Sequence, residues 1–183
     1  MDAEENTMEY PEFTEVEVRP HRVARAIPWS ETCFGCNEAI PGGLGVRAYA
    51  TEDGCIAGLC TAKETHMGFP GVIHGGILST YFDEVLWHAT RLADPETVAM
   101  TVEMAVHYLR PVRPGQKLRV IALPAKIEGR HIYVDGYMLL PDDRIACTAR
   151  CHYVAVRREN ALNGEEQQRL RHKQTEKIES IVF

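Results

Sequence analysis

The stretch from about residue 76 to residue 92 constrains the fold most, because it predicts a helix that is apolar on nearly every side. Its apolar residues are Ile77, Leu78, Tyr81, Phe82, Val85, Leu86, Trp87, Ala89 and Leu92. A helix without a broad polar face is typical of a protein interior, so other elements have to surround it. Asp83 and Glu84 stand out in this helix, since a buried carboxylate is costly unless it is paired or used in chemistry.

Six strand candidates flank this helix, two before it and four after it. They cover residues 44–51, 55–62, 98–110, 116–126, 130–140 and 144–156, and turn signals rich in Gly, Pro and Asp separate most of them. Apolar and polar residues alternate along these segments, which is typical of an antiparallel sheet with one dry face. The sequence therefore predicts an α+β fold in which an antiparallel six-stranded sheet wraps around one long central helix.

The chain of 183 residues and 20.6 kDa is long enough for one domain. We expect an acidic, partly disordered N-terminal arm over 1–32, the folded domain over 33–156, and a charged helix or tail over 157–183. The net charge of −6 excludes a bulk basic surface for nucleic acid, and no apolar run reaches the ~20 residues of a membrane span. The first 20 residues hold seven acids and one base, unlike a targeting leader, so we expect a cytoplasmic protein.

Six cysteines include one Cys-x-x-Cys, formed by Cys33 and Cys36. A zinc ribbon needs a second such pair or a suitably spaced pair of histidines, and the sequence has neither. We interpret the cysteines as free thiols, with metal binding at Cys33 and Cys36 as the alternative.

The segment that leads into the helix, Gly71 to Gly76, reads Gly-Val-Ile-His-Gly-Gly. Glycines at a helix start let a ligand approach the backbone, and the first-turn amides lack acceptors within the helix. These amides and the helix dipole favour an oxygen that gains negative charge. The alternative is a glycine-rich turn that only fits the helix against the sheet.

Asp83 lies seven residues after Gly76, which is about 10 Å along a helix at ~1.5 Å per residue. A general base has to come within ~3 Å of the proton it takes, or reach it through one water. One chain therefore cannot bring both groups to the same carbonyl. Two antiparallel helices across a two-fold axis can do so, and the spacing predicts a homodimer with shared sites.

The order of elements, and His74-Gly75-Gly76 followed by Asp83, resemble the hotdog-fold acyl-CoA thioesterases, in particular the PaaI-like and THEM-type branch. The strand from Thr101 to Pro111, with its leading Thr and closing Tyr-x-Arg-Pro, is similar to the post-helix strand of that branch. The stretch Cys33-Phe34-Gly35-Cys36 followed by Gly43-Leu44 resembles the N-terminal lead of some members. The resemblance covers about residues 33–156.

This resemblance implies hydrolysis of an acyl-CoA or related acyl thioester. The amides of Gly75 and Gly76 would polarise the carbonyl, His74 would shape the turn, and Asp83 of the partner subunit would act as general base or nucleophile. Thr101 matches the Thr that related enzymes use to hold the attacking water. Simple alternation places Thr101 on the face opposite the helix, so that role requires a bulge or the dimer seam. Neither mechanism needs a metal or an organic cofactor.

Further residues are candidates for substrate contact. Ser79 and Thr80 lie one turn before Asp83 and either orient it or serve helix packing. His66 and Phe69 lie in the loop that approaches the site, and Arg110 and Arg113 are candidates for the CoA phosphates. Glu84 and His88 are four residues apart and are expected to pair.

Three functions remain open at this point. The first is thioester hydrolysis by a dimer, or by a tetramer built from two dimers. The second is a non-catalytic acyl-CoA-binding module on the same scaffold. The third, hydratase or dehydratase chemistry, fits the helix-start motif less well.

Overall fold

The computed structural model describes residues 16–95, 98–156 and 172–173. Along the chain, one long helix, α1 (Gly75–Ala93), follows six strands and precedes six others. The strands are β1 (Val23–Ala26), β2 (Trp29–Ser30), β3 (Arg47–Thr51), β4 (Ile56–Thr61), β5 (Met67–Phe69), β6 (Val72–Ile73), β7 (Val98–Tyr108), β8 (Lys117–Ala122), β9 (Lys126–Glu128), β10 (His131–Leu139), β11 (Ile145–Val156) and β12 (His172–Lys173). No helix in the described part of the chain is long and apolar enough to cross a membrane.

The main sheet is antiparallel and has the order β1-β3-β4-β8-β10-β11-β7, with β9 paired to β10. The predicted α+β arrangement is confirmed, but this sheet has eight strands rather than six. The helix and the six predicted strands lie where the sequence places them, to within a few residues at each end, except that β8 ends early. Pro124 has no N–H for the ladder, and the chain resumes pairing only in β9.

The other additional strand, β1, lies in the stretch that the sequence assigns to the N-terminal arm. Val23 pairs with Thr51 and Ala26 with Tyr49 of β3. The segment is short and lacks regular alternation, so its backbone pairing leaves little trace in the sequence. Residues 1–15, and the predicted C-terminal helix or tail apart from β12, lie outside the described residues. The backbone of β12 pairs with β2.

The helix is buried against the inner face of the sheet. Its buried side chains are Leu78, Tyr81, Phe82, Val85, Leu86, Ala89 and Thr90. Two sheet glycines make the close contact possible. A Cβ on Gly58 would overlap the Val85 side chain, and one on Gly136 would lie 2.7 Å from Leu86 Cδ1. Real Cβ atoms do not approach that closely, so these glycines set the distance between helix and sheet.

The strand β7 contains a β-bulge at Val102. Thr101 pairs with Tyr153 of β11 and Glu103 pairs with His152, so Val102 is one extra residue on β7. An extra residue reverses the alternation on one side of the bulge. Thr101 and Met104 consequently lie on the same face of the sheet as their cross-strand partners Tyr153 and Cys151. Both partners belong to the core around the helix.

Candidate active site

His74 caps the helix and shapes its first turn. Its Nδ1 atom accepts a hydrogen bond of 2.9 Å from the Gly76 N–H, and its carbonyl oxygen accepts from the amides of Ile77 and Leu78. The Gly75 N–H has no acceptor among the described residues. The two amides proposed from the sequence therefore differ. The amide of Gly75 is available to a ligand, whereas that of Gly76 is occupied by the His74 ring, contrary to the expectation that both are free.

Tyr108, from the end of β7, covers the helix start. Its hydroxyl donates to the Gly75 carbonyl oxygen at 3.1 Å and lies 2.7 Å from the Ser79 hydroxyl. A Cβ on Gly75 would lie 3.3 Å from the Tyr108 ring, so the glycine allows this close approach. Tyr108 is not among the site residues predicted from the sequence, although it is the first residue of the Tyr-x-Arg-Pro motif. Only the tertiary structure brings it to Gly75.

An open cavity of about 300 Å³ adjoins the helix start. It is lined by Val72, Ile73, Gly75, Leu78, Tyr108, Leu109, Arg110, Pro111 and Val112. Most of these side chains are apolar, while Tyr108 and Arg110 add polar groups. Such a lining suits an elongated ligand with an apolar part and a polar or anionic part.

Asp83 lies further along the helix, near the first half of β7. Thr101 Oγ1 donates a hydrogen bond of 2.8 Å to Asp83 Oδ1, and the Asp83 side chain is half-buried. The Val102 bulge turns Thr101 toward the helix, so the role that required a bulge is structurally possible. Within one chain Asp83 and the Gly75 amide are about two helical turns apart, as the spacing predicts.

The other candidates are placed as follows. The hydroxyls of Ser79 and Thr80 donate to the Gly75 and Gly76 carbonyl oxygens, at 3.2 and 2.9 Å. They therefore support the helix start, and the described contacts do not include one between either hydroxyl and Asp83. Arg113 donates to the Gly71 carbonyl oxygen at 3.0 Å, on the loop that precedes β6.

His66 and Phe69 differ sharply in exposure. His66 is buried, with Nδ1 3.3 Å from the Tyr81 hydroxyl, and its carbonyl oxygen accepts from the His74 N–H. Burial, with a smaller effect of the Lys63 charge, lowers the pKa of His66 below its ordinary value. His66 therefore has a structural role: it connects the segment before the helix to Tyr81 within it. Phe69 is 73% exposed at the end of β5 and is free to contact a ligand.

Comparison with known proteins finds similarity to thioesterases. Residues 70–147, which contain the helix start, Asp83 and Thr101, match the model of the thioesterase superfamily. An uncharacterized protein of Schizosaccharomyces pombe is 26% identical over 72 residues, which are 39% of this chain and 41% of that protein. The matched region thus spans less than half the length of this curated relative.

Solved structures show the same fold at low sequence identity. A thioesterase from Haemophilus influenzae superposes with a TM-score of 0.60 at 20% identity, covering 67% of this chain and 85% of the other. The Escherichia coli PaaI protein from the phenylacetic acid degradation operon gives a TM-score of 0.57 at 18% identity, covering 66% and 86%. The predicted hotdog fold and the resemblance to PaaI-like thioesterases are confirmed.

Proposed function

We propose that this hotdog-fold chain hydrolyses an acyl-CoA, or a related acyl thioester, to a free acid and a thiol. The match to the thioesterase superfamily supports thioester hydrolysis in general. One observation carries the finer proposal. A carboxylate with a fixed hydroxyl partner and an unoccupied helix-start amide lie near opposite ends of the same edge strand, β7.

We propose that two copies pair through β7 to form a homodimer. The strand lies at the end of the main sheet, and its outer edge has no neighbouring strand among the described residues. Met100, Val102 and Tyr108 on this strand are each more than half exposed. An exposed apolar edge strand of eleven residues is a template for pairing with another chain.

Antiparallel pairing of two β7 strands about a two-fold axis would complete the site. We place the axis midway between Thr101 and Tyr108, so that Thr101 of one copy would lie opposite Tyr108 of the other. Thr101 holds Asp83, and Tyr108 contacts Gly75. The pairing would therefore bring the Asp83 carboxylate of one subunit to the helix start of its partner. Each dimer would contain two such sites.

The chemistry of this arrangement is acyl transfer to water. The thioester oxygen would accept from the Gly75 N–H, and from the Gly76 N–H once the His74 ring turns aside. Asp83 would take a proton from a water that attacks the carbonyl carbon, or would attack that carbon itself; Thr101 would hold the carboxylate in place. The C–S bond then breaks and the sulfur leaves as a thiolate, which needs no general acid because a thiol pKa is about 8.5. If Asp83 is the nucleophile, the acyl group is left as an anhydride on its carboxylate, and water then hydrolyses this anhydride to the free acid. These steps require no metal and no organic cofactor.

We propose that the cavity at the helix start holds the acyl chain or the adjoining pantetheine arm. Phe69, which pairs with the cavity residue Val72, would extend this surface. Arg110, which lines the cavity, and Arg113, which donates to the Gly71 carbonyl oxygen, would supply cations for the phosphates of CoA. Assembly of two dimers into a tetramer and a cytoplasmic location stay predictions.

The test is thiol release from a panel of aryl-, short- and long-chain acyl-CoA substrates. We expect turnover of at least one class, and a loss of at least 100-fold in kcat for Asp83→Asn. Glu128→Gln is the control, because Glu128 pairs with Lys126 on β9, which β10 and β11 separate from β7, and it should change nothing. Equal turnover by Asp83→Asn and the native protein would refute the mechanism.

A non-catalytic acyl-CoA-binding module is the second candidate. It would show thermal stabilisation by CoA esters without turnover of any of them. The Thr101–Asp83 hydrogen bond favours the enzyme, since a binding module gains nothing from a half-buried carboxylate with a fixed partner. The substrate panel distinguishes the two.

A further inference from the structure

Glu84, next to Asp83 in the helix, faces away from the proposed site and meets the Cys33-x-x-Cys36 segment. Cys36 Sγ lies 2.8 Å from Glu84 Oε1, Cys33 Sγ lies 3.2 Å from Glu84 Oε2, and the two sulfur atoms are 2.7 Å apart. The two cysteines are free thiols, Cys33 half-buried and Cys36 buried. The loop before β3 thus brings two soft ligands to a carboxylate 48 residues further along the chain.

The surroundings of Glu84 are built around this contact. A Cβ on Gly35 would overlap the Glu84 carboxylate, so the glycine leaves room for this side chain beside the two cysteines. His88 Nε2 lies 3.5 Å from Glu84 Oε1, which confirms the expected pairing, and the two side chains are only 11% and 18% exposed. Burial acts to raise the pKa of Glu84, but contacts with His88 and the two thiols outweigh it and the pKa is lowered.

We propose that Cys33, Cys36 and Glu84 bind a zinc ion. Their ligand atoms all lie within 4.8 Å of one another, and the two sulfurs would move about 1 Å further apart to form tetrahedral Zn–S bonds near 2.3 Å, beside a Zn–O bond near 2.0–2.2 Å. His88 would hold the carboxylate as an outer partner, as groups around metal ligands commonly do, and water would take the fourth position. Sulfur ligands favour zinc over calcium or magnesium.

We do not propose a metal site at a second cluster of similar composition, because its groups already have other partners. In the group of His21, Asp53 and Cys55, the Asp53 carboxylate already binds Arg19 and the Thr51 hydroxyl. The second ring nitrogen of His21 lies 3.2 Å from the Tyr137 hydroxyl. These partners satisfy the group without an ion, so Cys55 provides an internal control.

The proposed ion would fasten the N-terminal lead to the helix one residue from Asp83. It would act on structure and take no part in the hydrolysis, so the proposal stands independently of the proposed function. We therefore expect Asp83→Asn to keep its zinc whatever its activity.

The experiment measures the metal content of full-length protein, purified under reducing conditions and reconstituted with zinc. We expect about one zinc per chain, and loss of more than 80% of it in Cys33→Ser, Cys36→Ser and Glu84→Gln, with Cys55→Ala unchanged. With cobalt in place of zinc, the native protein should show a thiolate-to-metal charge-transfer band that the Cys33 and Cys36 variants lack. Circular dichroism checks that each variant is folded.

Three results would overturn the proposal. One is native protein that holds no zinc after reconstitution. Another is a Cys33–Cys36 disulfide, detected by mass spectrometry, in protein kept under the same reducing conditions. The third is zinc that persists in the folded Cys33→Ser/Cys36→Ser variant or disappears in Cys55→Ala.

Discussion

Thr101 donates a hydrogen bond of 2.8 Å to the Asp83 carboxylate and so links the edge strand of the sheet to the central helix. The link exists because Val102 is an extra residue on β7, which turns Thr101 to the helix side. The hydroxyl fixes one carboxylate oxygen and leaves the other available for chemistry. Thr101 is therefore a positioning residue for the proposed base or nucleophile.

Replacing Thr101 by Val removes the hydroxyl and keeps the shape of the side chain. A hydrogen bond to a charged group contributes about 1.5–3 kcal/mol, so we expect kcat to fall about 10- to 100-fold with little change in KM. Thr101→Ser is the control and should retain most of the native kcat. A Val variant with native kcat would show that Asp83 does not depend on this contact.

The Gly75 amide can be removed by substitution with proline. Gly75 is the first helical residue, where proline is tolerated, and the ψ angle of 133° at His74 suits a residue before proline. We expect Gly75→Pro to lower kcat about 100- to 1,000-fold, as loss of an oxyanion donor does.

Gly75→Ala is the matched control, because its Cβ meets the Tyr108 ring as the proline Cβ does but the N–H remains. The ratio of the kcat values of the Ala and Pro variants measures the contribution of the amide. Equal values would mean that the carbonyl is polarised elsewhere.

Shared sites predict that two inactive variants complement each other. In a heterodimer of Asp83→Asn and Gly75→Pro chains, one site carries both defects and the other carries neither. Heterodimers isolated from co-expressed chains with two affinity tags should therefore show about half of native activity, and the unfractionated mixture, of which random assortment makes half heterodimers, about a quarter. If each site lay within one chain, every site would be defective and the mixture would stay inactive.

The contact between Gly58 and Val85 sets how closely the helix approaches the sheet. A methyl group on Gly58 overlaps Val85, so we expect Gly58→Ala to lower the free energy of unfolding by about 1–3 kcal/mol. Adding Val85→Ala makes room for that methyl group. Urea denaturation should therefore show the double variant to be more stable than the sum of the single effects predicts, by about 1 kcal/mol or more. Strict additivity would contradict the overlap.

The helix and the main strands were predictable from the sequence. The helix shows itself by its continuous apolar character, and the strands by alternation between turn residues such as Gly54 and Gly129. Asp83 was found because a charge in an apolar helix is costly, and the helix-start glycines because they let a ligand approach the free amides of the first turn. The spacing between the two then predicted a dimer. These patterns involve residues that are close in the sequence, so they can be recognised without the tertiary structure.

Contacts between distant segments were not predictable in the same way. Tyr108 meets Gly75, and Glu84 meets Cys33 and Cys36, only because strands and loops return to the helix. The Val102 bulge is a one-residue change of register with no signature in composition, and it reverses the predicted face of Thr101. The edge strand β1 was missed because backbone pairing alone defines it.

The two margins of the main sheet are unlike each other, and this bears on how large an assembly can grow. At the margin opposite β7, β1 is only four residues long, its register slips between Val23 and Arg25, and it carries a charged side chain. Short, irregular, charged strands resist the addition of further chains. Copies joined through β7 would expose only two such margins, so sheet extension would stop at a pair and a fibre could not propagate.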